Sequence, residues 1–103
     1  MVQDIRRVTQ EADYKVYEDT SFVTGESPVE HDCNTDLGNN VKEGYITCDG
    51  TGNIQVELMV KCNTEYGEAF TMKNGEIFHL EGLQVRKIRI TWIADSAYRI
   101  WVI

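Results

Sequence analysis

The stretch that decides the fold is residues 88–103, "IRITWIADSAYRIWVI". Two runs dense in β-branched and aromatic residues flank a short polar turn, a composition typical of two joined strands. An odd-numbered loop, which pairs Trp92 with Tyr98, keeps both arginines out of the core. The outer face of this predicted hairpin then carries Arg89, Thr91, Arg99 and Trp101, with Ile103 at the side of Trp101.

Two segments upstream also alternate between apolar and polar residues. "IQVELMV" (54–60) follows a short apolar run and a glycine turn, which predicts a hairpin over 44–60. "EAFTMKNGEIFHL" (68–80) predicts a second hairpin, whose three-residue loop 73–75 places Gly75 in the left-handed region. The predicted core comprises Ile54, Val56, Leu58, Phe70, Phe78, Ile88, Ile90, Trp92, Tyr98 and Ile100.

The first part of the chain has a different character. Ile5, Val8 and Ala12 follow a helical spacing, and "YKVYEDTSFV" (14–23) reads as a strand. Residues 24–40 show no sustained periodicity and are too many for an ordinary connection. We therefore expect an extended N-terminal arm over 1–43 and a body over 44–103, together an all-β, jelly-roll-like antiparallel β-sandwich in one domain.

Composition and charge exclude several classes of protein. The net charge is −7, and residues 1–53 hold 11 acidic and four basic side chains. An acidic chain with no basic stripe is a poor partner for nucleic acid. No apolar run reaches the roughly 18 residues of a membrane span, and no signal peptide is evident, so we expect a soluble protein made in the cytosol. The three cysteines form no C-x-x-C pair, which argues against a disulfide framework or a zinc finger.

One local motif has the ligand spacing of a calcium loop. In "DCNTDLGNNVKE" (32–43), oxygen-bearing side chains recur at suitable intervals, in a set formed by Asp32, Asn34, Asp36 and Glu43. Leu37 stands where such a loop needs glycine, no amphipathic helices flank it, and Asn and Asp also cluster in ordinary turns. We expect no calcium requirement.

Catalytic and cofactor-binding motifs are equally sparse. A zinc site formed by His31, Cys33 and His79 is conceivable, but His-x-Cys spacing is a weak signal. No strained turn carries a serine or cysteine nucleophile, and a chain of 103 residues leaves little room for a substrate cleft. We expect neither an enzyme nor a cofactor.

The outward tryptophan leaves three interpretations open. Trp101 with Arg89 and Arg99 would stack a sugar ring in a small carbohydrate-binding module. The same residues, with Ile103, would form a protein interface, in which Trp and Arg are enriched. Alternatively, the N-terminal segment of the chain covers Trp101.

Three phrases of the sequence suggest a family. "SPVEHDCNTDLGNN" (27–40) precedes "GYITCDGTGNIQVEL" (44–58) and "GEAFTMKNGEIFHLEGLQVRKIRITWIADSAYRIWV" (67–102). Together they resemble small β-sandwich structural proteins of tailed bacteriophages, of the capsid decoration, cement or head and tail attachment types. The similarity lies in a glycine-bounded strand, a "G-E" turn leading to "L-x-G-L-x-V", and a final "I-R-I-T…S-A-Y-R-I" pair.

The resemblance implies a non-enzymatic virion component, made in the host cytoplasm. Its expected partners are further copies of itself, with three as the implied number, and a capsid or tail protein on which it docks. The interface would use Arg89, Arg99, Trp101 and Ile103. A small carbohydrate-binding β-sandwich module remains the alternative function.

Overall fold

The structure, a computed structural model, describes residues 13–103. A 3₁₀ turn at Thr24–Glu26 and the five-residue helix α1, Cys33–Leu37, are the helical elements among these residues. The eight strands are β1 Lys15–Phe22, β2 Val29–His31, β3 Gly44–Cys48, β4 Ile54–Val60, β5 Phe70–Met72, β6 Ile77–His79, β7 Val85–Trp92 and β8 Ser96–Val102. None of the described helices is long and apolar enough to cross a membrane.

The strands form two four-stranded antiparallel sheets that pack face to face. The first sheet has the order β1-β8-β3-β6, and the second has the order β2-β7-β4-β5. Apart from β4 and β5, which pair with each other, each strand is followed in sequence by a strand of the other sheet. This double-sheet arrangement is that of a jelly roll, so the predicted all-β sandwich is confirmed.

The core lies between the sheets and follows the predicted alternation. Six of the ten predicted core residues are buried, and Leu58, Phe70, Phe78 and Trp92 are partly buried against them. The core also contains residues outside that list, which are Phe22, Cys33, Val41, Ile46, Cys48, Met72, Leu80, Val85 and Val102.

The three predicted hairpins are wrong in their pairing, although their faces are right. β7 pairs with β2 and β4, whereas β8 pairs with β1 and β3, so the two closing strands face each other across the core. Likewise β5 joins the second sheet and β6 the first, with the rings of Phe70 and Phe78 in contact at 4.7 Å between centroids. Gly75 has the predicted left-handed conformation, with φ of 84°. The loop 73–75 is therefore a corner between sheets.

The segment predicted as a hairpin over 44–60 is also a crossing between sheets. β3 lies in the first sheet and β4 in the second, and residues 49–53 connect them. A Cβ atom at Gly50 would clash with the backbone of Ser96 and Ala97, and one at Gly52 would clash with Asp95. These glycines let the crossing pack directly against the connection between β7 and β8.

The predicted separate arm is wrong for residues 15–41, which belong to the sandwich. β1 pairs with β8 along most of its length, and β2 pairs with β7. Phe22 at the end of β1, and Cys33 and Val41 between β2 and β3, are completely buried. Strands of three residues and a five-residue helix are too short to show periodicity, which is why the segment read as irregular. The helical spacing predicted from Ile5, Val8 and Ala12 lies outside the described residues.

Candidate interaction surface

Trp101 lies on the outer face of the first sheet. Its neighbours in β8, Ile100 and Val102, are fully buried, so the alternation of the strand turns Trp101 away from the core. The side chain is half-buried. Its outward position, predicted from the sequence, therefore agrees with the structure.

Two tyrosines flank the indole ring of Trp101. The ring centroid of Tyr14, just before β1, lies 6.4 Å away with 29° between the planes, and that of Tyr45 in β3 lies 6.1 Å away with 20°. Because β8 runs between β1 and β3, the tyrosines approach Trp101 from opposite sides. Cross-strand aromatic contacts of this kind stabilise a sheet and hold the rings in place.

Apolar side chains extend this row into a continuous surface. Val16 pairs with Trp101 across β1 and β8, and Ile103 follows two residues after Trp101 on the same side. Tyr14, Val16 and Ile103 are 57%, 42% and 41% exposed. We call Tyr14, Val16, Tyr45, Trp101 and Ile103 the aromatic patch. Single exposed apolar residues are common on proteins, but a contiguous group with a tryptophan at its centre makes this surface a candidate interaction site.

A polar row borders the aromatic patch on the same sheet. Glu18, Arg99 and Thr47 are aligned across β1, β8 and β3 in the next outward-facing row. Arg99 Nε lies 3.8 Å from Asp49 Oδ2, with both side chains nearly half exposed. Such a pair contributes little to stability, about 0–1 kcal/mol, but it gives the apolar surface a charged rim.

Arg89 does not lie beside Trp101. It stands on β7, on the outer face of the second sheet, whereas Trp101 and Arg99 are on the first. Its guanidinium donates two hydrogen bonds to Glu57, of 2.9 Å and 3.0 Å, and lies over the ring of Tyr66 at 4.2 Å. These hydrogen bonds lower the pKa of Glu57 and raise the pKa of Arg89. The set predicted as one interface is thus split between two faces.

The second sheet is instead braced by a polar network. The hydroxyl of Tyr66 donates to Glu30 Oε2 at 2.6 Å, and Lys87 Nζ lies 3.8 Å from Glu30 Oε1. Glu30, Arg89 and Glu57 are aligned in register across β2, β7 and β4. The network ties the connection between β4 and β5 to the outer face of the sheet.

Three of the four side chains of the predicted calcium spacing have separate partners. Asp32 caps α1 by accepting a hydrogen bond from Thr35 N at 3.1 Å. Asp36 accepts from a tyrosine hydroxyl, Asn34 donates to another asparagine, and Glu43 is exposed. Among residues 13–103, no group of three or more His, Cys, Asp or Glu side chains is placed to hold a metal ion. His79 is exposed on β6, at one edge of the first sheet. His31 packs against Tyr17 of β1, which is the opposite edge of that sheet.

A partly buried titratable cluster closes the sandwich where β1 and β2 face each other. His31 Nε2 lies 2.9 Å from the hydroxyl of Tyr98, and its ring packs on Tyr17 at 4.4 Å. The hydroxyl of Tyr17 donates to Asp36 Oδ2 at 2.5 Å. Burial lowers the pKa of His31, raises the pKa of Tyr17, and raises the pKa of Cys33 to about 12. The thiol of Cys33 therefore stays protonated at neutral pH and is no nucleophile.

Comparisons with known proteins add little to this description. No family model matches the sequence, and no curated protein matches it. Among solved structures, one described as "Crystal structure of PirA" is similar with a TM-score of 0.44 and 15% sequence identity, covering 90% of this chain and 86% of that chain. A likeness at this level says nothing about function.

Three members of the aromatic patch were not predicted from the sequence, namely Tyr14, Val16 and Tyr45. A signal was present in "YKVYEDTSFV", where Tyr14 and Val16 are apolar on the side of the strand opposite Tyr17. A strand that is apolar on both sides has one face in the core and another available for contact. Tyr45 gave no comparable signal, because its place beside Trp101 depends on pairing between distant strands.

Proposed function

We propose that this chain is a non-enzymatic structural module of a virion, of the capsid decoration or attachment type, which binds proteins through the aromatic patch. The observation that carries the proposal is the row of Tyr14, Trp101 and Tyr45 with exposed Val16 and Ile103 beside it. The sequence resemblance to small β-sandwich proteins of tailed phages supplies the class. The partners proposed from it are further copies of the chain, three by that resemblance, and a capsid or tail protein.

The aromatic patch has the anatomy of a protein interface. Tryptophan and tyrosine contribute most of the binding energy in typical interfaces, near the centre of the contact and surrounded by polar residues. Here Trp101 is central, and the row of Glu18 and Arg99 lies along one side. The flanking tyrosines already restrict the indole ring, so its rotamers lose little further entropy on binding.

The geometry favours a protein partner over the alternative of a sugar stacked on Trp101. A sugar ring needs an open aromatic face, and Trp101 has a tyrosine on each side. Arg89, which the sugar-stacking hypothesis requires beside Trp101, lies on the other sheet and is bound to Glu57. A sugar stacked on Trp101 would therefore not contact both arginines of the hypothesis, Arg89 and Arg99.

The test compares substitutions of exposed residues, because replacing Trp101 would also remove contacts within the fold. Val16→Lys and Ile103→Lys place a charge in the aromatic patch at positions 42% and 41% exposed. Ile77→Lys is the control outside the aromatic patch, since Ile77 is 58% exposed on the same face, on the edge strand β6 at the opposite edge of the sheet from β1. Sedimentation velocity over a concentration series measures self-association, and co-sedimentation with capsids or tails of the phage that encodes the chain measures docking.

We expect an oligomer whose dissociation constant rises about tenfold or more in the two patch variants, as burying an unpaired charge requires. Docking should weaken in parallel, and Ile77→Lys should behave as the unaltered chain. A chain that stays monomeric at the highest concentration and does not dock would refute the proposal. Equal effects of all three substitutions would refute the assignment to the patch.

A further inference from the structure

An open cleft of about 460 Å³ lies where the end of α1 meets the turns that follow β4 and precede β7. None of its lining residues belongs to the aromatic patch. Beside Gly38 and Cys62, its lining contains four amides and two cations, namely Asn34, Asn39, Asn40, Gln84, Lys61 and Arg86. A volume in this range is typical of sites for small ligands.

The backbone presents two of these side chains in an uncommon conformation. Lys61 and Gln84 have φ of 55° and 53°, in the left-handed region that residues other than glycine seldom adopt. They are held together, because Lys61 N donates to Gln84 O at 2.8 Å. Left-handed residues with side chains cluster at binding sites, where the surrounding structure over-determines their conformation.

A chain of amide hydrogen bonds fixes the wall of the cleft. Asn34 Nδ2 donates to Asn40 Oδ1 at 2.8 Å, and Asn40 Nδ2 donates to Lys61 O at 2.9 Å. α1 is thereby tied to the turn that carries Lys61. Within residues 13–103, the side chains of Asn39 and Gln84 make no hydrogen bond. Both amides remain available to a ligand as donor and acceptor.

The charge of the cleft opposes that of the chain. The net charge of the protein is −7, yet the lining contains Lys61 and Arg86 and no carboxylate. Neither cation forms an ion pair with a described carboxylate, and Arg86 Nη1 donates only to the carbonyl of Asn63, at 3.2 Å. Two positive charges that line one cleft and pair with no described carboxylate attract an anionic group.

We propose that this cleft binds a hexuronic acid residue of an acidic polysaccharide. A simple anion such as sulfate offers acceptors alone, whereas a sugar hydroxyl can both donate to and accept from the amides. The carboxylate would lie against Arg86 and Lys61, whose charges suit it, and the hydroxyls would meet Asn39 and Gln84. The inference goes beyond the proposed function and does not rest on it, because it concerns a different surface.

The test is a titration of the ¹⁵N-labelled chain with a trimer of galacturonic acid, followed by amide chemical shifts. The fully methyl-esterified trimer keeps the sugar hydroxyls but lacks the charge, and sodium sulfate supplies charge without hydroxyls. Lys61→Gln and Arg86→Gln remove one cation each from the cleft. Lys73→Gln and Arg99→Gln are the matched controls, since both residues are exposed and lie outside the cleft.

We expect saturable shifts at residues of the cleft with the acidic trimer, weakened about tenfold by either cleft substitution and unchanged in the controls. The esterified trimer and sulfate should each bind about tenfold more weakly than the acidic trimer. The proposal is overturned if the acidic trimer causes no localised shifts up to about 10 mM. It is equally overturned if sulfate binds as tightly, or if the control substitutions weaken binding as much as those in the cleft.

Discussion

Individual residues have different roles on the two faces of this sandwich. Trp101 and Arg89, which the sequence suggested as neighbours, stand on opposite outer faces. Trp101 is held by rings and leaves exposed apolar surface around it, whereas Arg89 is engaged by Glu57 and Tyr66. An arginine fork with both arms bound and its face on a ring has few donors left for a partner. This contrast is why the proposed interface follows the aromatic patch.

His31 makes the stability of the fold depend on pH. Burial lowers its pKa in the folded chain, although Asp36 and Asp19 act in the opposite direction, and the unfolded chain keeps the ordinary value of about 6.5. Below that pH the unfolded state therefore binds more protons than the folded state. By linkage, the free energy of unfolding must fall as the pH decreases from about 6.5 towards the folded pKa.

Urea denaturation between pH 5 and pH 8 measures this dependence, and His31→Gln supplies the comparison. The variant should lose some stability at every pH, because the contact with Tyr98 is altered, but its stability should fall less steeply below about pH 6.5. His79→Gln is the control, since His79 is exposed. An unchanged slope in His31→Gln would show that other groups cause the acid sensitivity.

At the scale of elements, the faces of the strands were predictable and their partners were not. Alternation of apolar and polar residues shows which side of a strand faces the core, but it does not show to which of the two sheets the strand belongs. The loop 73–75 illustrates the ambiguity. Such a short connection spans about 10 Å, which suits both a hairpin and a step between sheets that pack about 10 Å apart. Only the contacts within the assembled sheets decide between a hairpin and a connection from one sheet to the other.

The same limit applied to the candidate site. The outward direction of Trp101 followed from local alternation, whereas its tyrosine neighbours depended on β8 lying between β1 and β3. The cleft was less predictable still, because Asn34, Lys61 and Gln84 come from three separate parts of the chain. Their residue types gave no periodic signal, and asparagine in a turn is ordinary.

The close packing of the connection between β3 and β4 against β8 can be tested by substitution. In Gly50→Ala the new methyl group must displace the backbone of Ser96 and Ala97. These two residues are the first of β8, an inner strand of its sheet. We expect a loss of about 2 kcal/mol or more in the free energy of unfolding, measured by urea denaturation. Gly25→Ala is the matched control, because a methyl group there meets nothing within 4 Å and the residue has no positive φ.

The control should be neutral or slightly stabilising, since alanine restricts the unfolded chain. If Gly50→Ala were as stable as Gly25→Ala, the close approach of the 49–53 crossing to β8 would be wrong. The comparison isolates packing from the general effect of replacing glycine.

At the scale of the whole molecule, the described residues form three distinct surfaces. The aromatic patch occupies the outer face of the first sheet, the polar network of Arg89 braces the second, and the cleft of Lys61 and Arg86 lies at the turns. The two proposed binding surfaces share no residue. Substitutions in one surface therefore leave the residues of the other unchanged, so protein docking and glycan binding are open to independent tests.

The jelly roll also changes what truncation should do. An arm ending near residue 43 would leave a body that folds without it, but removal of residues 1–40 deletes β1, β2 and α1. Each sheet would lose an edge strand, and the core would lose Phe22 and Cys33, which are fully buried. Large aromatic side chains deleted from a core cost about 3–5 kcal/mol each, comparable with the whole stability of a small domain.

We therefore expect residues 41–103 alone to show no cooperative unfolding by circular dichroism in urea. Adding the peptide 1–40 in trans should restore a cooperative transition with near-native strand content, because the two pieces together contain both sheets. A truncated chain that unfolds cooperatively by itself would instead show that the first 40 residues are an arm after all.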